Sequence, residues 1–231
     1  PSDVIGYFEI SNNLCLGSYR ACIKMLVDFP EDKTCYISIT DNIAYGTSGY
    51  HEGFIIGRYI SMTNRNLRVI VKNNKLYNFK KAAIRFANRD NCIIEGNQIY
   101  GGNAEGIELE NAGNVTIRNN VIENATSCGI GVTASGGGNY TQTQITGNNI
   151  TNCGGNGLES IDTSYGGDIF IDSSYSPTIS DSIIAENKAT YGGIGIYCNR
   201  ISPTIAENTI TGNTGGGIYC KYSSPTITNN T

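Results

Sequence analysis

Apolar and polar residues alternate along this chain in short runs, as in Val115-Thr116-Ile117-Arg118. That alternation suits a strand with one buried face. No run has the length and period of a helix, with Tyr19 to Val27 as the one candidate exception. The runs also recur in order. An Ile-x-x-Asn-x-apolar phrase covers Ile94 to Ile99, Ile117 to Ile122, Ile145 to Ile150 and Ile205 to Ile210, and begins again at Ile227. Val71 to Leu76 fits it well, Ile10 to Asn13 and Ile39 to Asn42 more loosely, and Ser182 takes the asparagine place in Ile179 to Ile184. The key position therefore falls at 13, 42, 74, 97, 120, 148, 182, 208 and 230, a spacing of 22 to 34 residues. Such a period, built from short strands and turns, is that of a solenoid.

A Gly-Ile type strand recurs at a fixed offset from the phrase. Ile84 to Asn97 and Ile107 to Asn120 are 13 residues apart, and Ile196 to Asn208 and Ile218 to Asn230 are 12. Each repeat thus carries three short strands. One coil cannot enclose its own apolar face, so neighbours stacked ~4.8 Å apart must build the core. The expected fold is an all-β, single-stranded parallel β-helix of eight or nine coils, with Ile94, Ile117, Ile145, Ile179, Ile205 and Ile227 in one inward column. Nine coils would make a rod roughly 40 Å long. Residues 1–231 read as one domain, irregular over 1–68 and regular over 69–231, with a long insertion at 154–176. The recurrent asparagines, Asn74, Asn97, Asn120, Asn148, Asn208 and Asn230 among them, are expected at corners in the left-handed conformation, which Asn tolerates. Their amides would then hydrogen-bond along the rod as a ladder; the alternative is generic turn asparagines.

The coils resemble the right-handed parallel β-helix repeat shared by pectate lyases, polygalacturonases, mannuronan epimerases, phage tailspikes and many bacterial and archaeal surface proteins. The Ser-Pro-Thr-Ile-x-x-Asn phrase at 202–208 and 224–230, with Gly-Gly-Ile-Tyr-Cys-like strands before it, is most similar to the repeat-rich surface branch. The resemblance speaks for fold and is nearly silent on function. In the polysaccharide-cleaving members it implies a substrate groove on the Gly-Ile strand face.

Composition narrows the field. A net charge of -4 and a pI near 5.0 leave no basic footprint for nucleic acid. There is no apolar run long enough to span a membrane. Only 16% charged residues, with abundant Gly, Asn, Thr, Ser and Tyr, suits a protein outside the cell or on its surface. Asn-x-Ser/Thr sequons at Asn114, Asn124, Asn139, Asn149 and Asn229 add little weight in a chain so rich in Asn and Thr. The eight cysteines and single histidine show no metal-site spacing. Cys198 and Cys220 hold the same place in consecutive coils, either as a disulfide or as two buried thiols. Cys15, Cys22 and Cys35 cannot be paired from sequence.

On the Gly-Ile strand the residue after the isoleucine faces outward. That column runs Arg85, Glu108, Gly131, Glu159 or a neighbour, Phe170, Tyr197 and Tyr219. Arg85 beside Glu108, with Glu105 and Glu110 near, is a candidate for calcium, uronate or acid-base work, or else an exposed ion pair worth at most ~1 kcal/mol. Phe170, Tyr197 and Tyr219, with Tyr175 and Tyr222 close by, are candidates for sugar contact or for stacking that stabilises the sheet. The catalytic signatures of the enzyme members are missing. His51 sits in Tyr-His-Glu-Gly, and Asp162, Asp168, Asp172 and Asp181 are scattered. No catalytic residue is assigned, and no cofactor beyond the calcium considered above. The leading expectation is a surface, fibre or envelope segment, contacting polysaccharide and stacking end to end with another copy or with further repeats. The competing one is a polysaccharide lyase or epimerase. Neither end shows a recognisable cap.

Overall fold

The computed structural model describes residues 4–17, 21–25, 34–46, 52–57, 67–87, 91–133, 143–154, 167–172, 176–188 and 194–231. Among them, strands form three parallel sheets of nine, eight and eight members, here called A, B and C. The chain visits A, B and C in turn, so each circuit is one coil. Eight coils are complete, and a last strand, Thr226–Thr228, opens a ninth in sheet A. There is no helix among the described residues.

The inward column of sheet A aligns Ile10, Ile39, Val71, Ile94, Ile117, Ile145, Ile179, Ile205 and Ile227 rung by rung. Sheet B contributes Cys15, Ala44, Leu76, Ile99, Ile122, Ile150, Ile184 and Ile210. Sheet C contributes Ile23, Phe54, Ile84, Ile107, Ile130, Ile169, Ile196 and Ile218. From Ile39 to Ile205 the sheet A column is sealed from water. Because side-chain direction has a period of two, a one-residue slip would carry every isoleucine to the outside. The strict alternation therefore sets the register.

Three expectations change. Ala21–Met25, inside the stretch read as a possible helix, is a strand of sheet C paired with Glu52–Gly57. Its inward residues are Ile23 and Met25, in register with Phe54 and Ile56, so the apolar spacing that hinted at a helix is strand alternation. Within the expected insertion at 154–176, Gly167–Asp172 is a regular rung of sheet C. Residues 155–166 and 173–175 lie outside the described residues.

The third change concerns the corner. The recurrent asparagine does not take the left-handed conformation; the residue before it does. Asn12, Asp41, Asn73, Gly96, Asn119, Gly147, Asp181, Glu207 and Asn229 have φ between 52° and 64°. The two jobs are divided: one residue turns the chain, and the next turns its amide inward. At Gly96 a Cβ would come within 2.7 Å of Asn73 Oδ1, and at Gly147 within 2.5 Å of Asn119 Oδ1. Glycine suits these two corners, since a side chain there would displace the asparagine amide stacked against it.

The inward amides form a continuous ladder. Asn97 donates its main-chain N–H to Asn120 Oδ1 at 2.9 Å and its Nδ2 to the same oxygen at 3.0 Å. Nδ2 also reaches back to the Val71 carbonyl of the preceding coil at 2.9 Å. Each asparagine thereby ties three coils together. The bonds repeat from Asn13 through Asn42 and Asn74 to Asn148. They resume from Asn208 to Asn230. At Ser182 the ladder thins. The Ser182 hydroxyl accepts from the Asn148 main-chain N–H at 3.2 Å but donates to the carbonyl of Ser180 in its own coil. A second, shorter ladder, Cys153 to Asn187 to Asn213, occupies the corner after sheet B.

Asn120→Leu removes both acceptor contacts to Asn97 and the donations to Asn148 and Ile94. With buried N–H groups left unpaired, it should cost about 3 kcal/mol or more and lower Tm clearly. Asn119→Gly keeps the left-handed corner and should cost less than ~1 kcal/mol. Equal Tm losses in the two variants would contradict the division of labour. Ser182→Asn extends the ladder into a slot that the other coils already accommodate. It should raise Tm by an amount equivalent to about 1 kcal/mol in thermal unfolding.

Candidate functional site

The outward face of sheet C gathers most of the charged and aromatic residues singled out from the sequence. Its column runs Lys24, Ile55, Arg85, Glu108, Gly131, Phe170, Tyr197 and Tyr219. Gly131 pairs directly with Phe170, so no rung lies between them for Glu159 to fill. Glu159 and Asp162 themselves, like His51 and Tyr175, lie outside the described residues.

Strand alternation aims Arg85 outward, and the adjacent coils surround it with acid. Its Nη2 meets Glu110 Oε2 at 2.7 Å, its Nε meets Glu108 Oε2 at 3.2 Å, and its Nη1 meets Glu52 Oε1 at 3.5 Å. Lys81 Nζ lies 3.9 Å from the same Glu52 oxygen. Next to them Glu105 is buried and accepts a hydrogen bond from the Ser127 hydroxyl at 3.2 Å. The Arg85 side chain is only 11% exposed and that of Glu108 17%. The pair is therefore not the exposed surface pair expected, because outward side chains from three consecutive coils cover one another. Burial pushes the Glu108 carboxyl up to about 7; Arg85 opposes the shift, and Glu105, Glu110 and Glu52 add to it. Arg85 occupies the centre that a calcium ion would need. Among the described residues no group of three or more His, Cys, Asp or Glu could hold a metal ion.

Further along the face the aromatic column is stacked. Phe170 and Tyr197 have ring centroids 5.2 Å apart and planes within 2°, and Tyr197 and Tyr219 lie 5.7 Å apart at 12°. Tyr197 is 4% exposed, against 43% for Tyr219 and 77% for Tyr222. Sugar rings dock on aromatic faces, and here the faces of Tyr197 are closed by its neighbours. Tyr197 thus leaves the set of glycan contacts, and Phe170 shares one face with it. A second stack, Tyr45, Tyr77 and Tyr100 on sheet B at 4.7 and 5.5 Å, was missed in the sequence. Its signal was there: each tyrosine stands three residues after a ladder asparagine.

Cys198 and Cys220 face each other in register as thiols in the inward column of sheet C, and burial raises both pKa values. In-register side chains on parallel strands point the same way. Their Cβ atoms stay about a strand spacing apart, ~4.8 Å, beyond the ~3.8 Å typical of a disulfide. The disulfide present instead joins Cys15 and Cys22 across the first corner between sheets B and C, with Cα atoms 6.0 Å apart. Cys35 is a buried thiol. Of the scattered aspartates, Asp172 stands on sheet C and Asp181 at a corner between sheets A and B, so these two are not brought together.

A family profile described as the right handed beta helix region matches residues 6–166 and 59–231. The chain belongs to the right-handed β-helix family. No curated protein sequence matches it. Among solved structures it is similar to two of PfbA, from Streptococcus pneumoniae. One, described as a surface protein and adhesin, is 10% identical with a TM-score of 0.29, covering 97% of this chain and 88% of that one. The other, described as a surface adhesin, is 12% identical with a TM-score of 0.36, covering 97% and 81%.

Glu108 gives this β-helix a pH dependence. The folded protein keeps the Glu108 proton up to about pH 7, whereas the unfolded chain releases it near the ordinary value of 4.5. The native state therefore binds more protons across that window, and stability falls as pH rises from about 4.5 to 7, then levels off. The expected loss is roughly 2–3 kcal/mol in denaturant titrations. Glu108→Gln should flatten the curve over the same range; an unchanged slope would contradict the assignment.

Proposed function

We propose that this β-helix is a structural and adhesive rod displayed outside the cell, as a segment of a surface, fibre or envelope protein. The observation that carries the reading is the engagement of the sheet C face with itself. Arg85 binds three carboxylates from neighbouring coils, and the rings beyond it close on one another. Where a substrate groove would lie, the functional groups stabilise the wall. The Cys15–Cys22 disulfide suits an oxidising compartment. No helix is long and apolar enough to cross a membrane among the described residues.

Polysaccharide contact, in this proposal, falls to Tyr219 and Tyr222, the most exposed aromatics of the carboxy-terminal coils. The partner for assembly is more of the same architecture. A further coil, from a longer repeat polypeptide or from a second copy, would continue the amide ladder past Asn230. A second reading, lyase or epimerase, has one observation in its favour: a carboxyl near 7 at Glu108 is matched to general acid-base work.

One experiment separates the two. The chain is incubated with pectate and alginate, with and without calcium, and then passed over the same polymers immobilised. The proposal expects no growth of unsaturated uronate absorbance, and retention that Tyr219→Ala with Tyr222→Ala abolishes. Turnover that disappears in Glu108→Gln would establish the enzyme instead. Retention unchanged in the double variant would remove these tyrosines as the contact.

A further inference from the structure

Beside the aromatic stack, two residues along each strand, a second outward column of sheet C reads Asp172, Asn199, Lys221 on three consecutive coils. A carboxyl, a carboxamide and an amine thus occupy adjacent rungs, each about a strand spacing of ~4.8 Å from the next. The Asn199 carboxamide is already oriented: its Nδ2 donates to Asp172 Oδ1 at 3.0 Å. Its Oδ1 is buried and accepts no hydrogen bond. Lys221 stands on the other side, with Nζ 5.5 Å from the centre of the Tyr222 ring. Phe170, Tyr197 and Tyr219 wall the row along its length.

We propose that Lys221 and Asn199 form an intramolecular amide cross-link, with Asp172 as the proton carrier, stapling the last two strands of sheet C. The neutral Lys221 amine turns from the Tyr222 ring and attacks Asn199 Cγ, forming a new C–N bond. Asp172 takes the proton lost from the amine and passes one to Asn199 Nδ2, to which it is already hydrogen-bonded. The Cγ–Nδ2 bond then breaks and ammonia leaves. Amine plus carboxamide gives amide plus ammonia; nothing is oxidised or reduced, and no further reactant is needed. The reaction occurs once per molecule and is driven forward by loss of ammonia, so it can proceed slowly after folding. The same chemistry is closed to Cys198 and Cys220 just inside the strand, whose thiols carry no acyl carbon to attack.

The test is the intact mass of the purified, reduced chain, followed over days at pH 7.5 and pH 9, with peptide mapping. Wild type should become lighter by one ammonia, and a branched peptide should join Lys221 to Asn199. Lys221→Arg and Asp172→Ala, both outward substitutions that spare the core, should keep the full mass under the same treatment. Wild type holding its full mass at both pH values would overturn the proposal. So would an ammonia loss that persists in Lys221→Arg, which would mark ordinary asparagine cyclisation elsewhere.

Discussion

A coil that turns three times around an apolar interior must bury backbone at every corner. The strands satisfy their own N–H and C=O groups through the neighbouring coils, but at a corner the chain changes direction and the ladder of main-chain bonds is interrupted. A buried N–H without a partner costs on the order of 1–3 kcal/mol, and the penalty recurs with every coil. The inward asparagines meet this constraint. Each offers one oxygen to the main-chain N–H and the side-chain amide of the coil before it, and returns a donor to a carbonyl of that same coil. The isoleucine columns supply the apolar burial, but the amides make the corner between sheets A and B compatible with it.

Much of this was legible because the repeat is strict. Ile94, Ile117 and Ile145 are separated from Asn97, Asn120 and Asn148 by the same interval, so column and corner could be read together. The left-handed residue was misplaced for a physical reason. Asn12-Asn13, Asn73-Asn74, Asn119-Asn120 and Asn229-Asn230 put two asparagines side by side, and either could turn the chain or join the ladder. Gly96-Asn97 and Gly147-Asn148 resolve the doublet, since the glycine always precedes. The covering of Arg85 was not legible in the same way. Glu52 lies 33 residues before it and Glu110 lies 25 after, and only the register brings both onto one guanidinium. The cysteines mark the opposite limit. Equal placement of Cys198 and Cys220 was clear, yet parallel side chains at equal height do not converge.

The outward faces follow one rule throughout: like or complementary side chains stack at the strand spacing. Lys72, Glu95 and Arg118 alternate in charge along sheet A, tyrosines stack on sheet B, and sheet C carries an acid-arginine cluster and then an aromatic column. Cross-strand pairs of these kinds contribute roughly 0.2–1 kcal/mol each. Groups satisfied by their neighbours are poor reagents, which is why the scaffold reading outweighs the catalytic one. Glu108 is the exception, because its burial and the carboxyls around it outweigh the single guanidinium of Arg85.

The account stands on the amides of the corner between sheets A and B, and residue-resolved hydrogen exchange reads them directly. Their main-chain N–H groups sit in turns, where exchange is ordinarily fast. If the ladder carries the fold, the N–H groups of Asn74, Asn97 and Asn120 will exchange as slowly as those of the inward isoleucines beside them. Exchange as fast as that of an unbonded, solvent-exposed amide would contradict it.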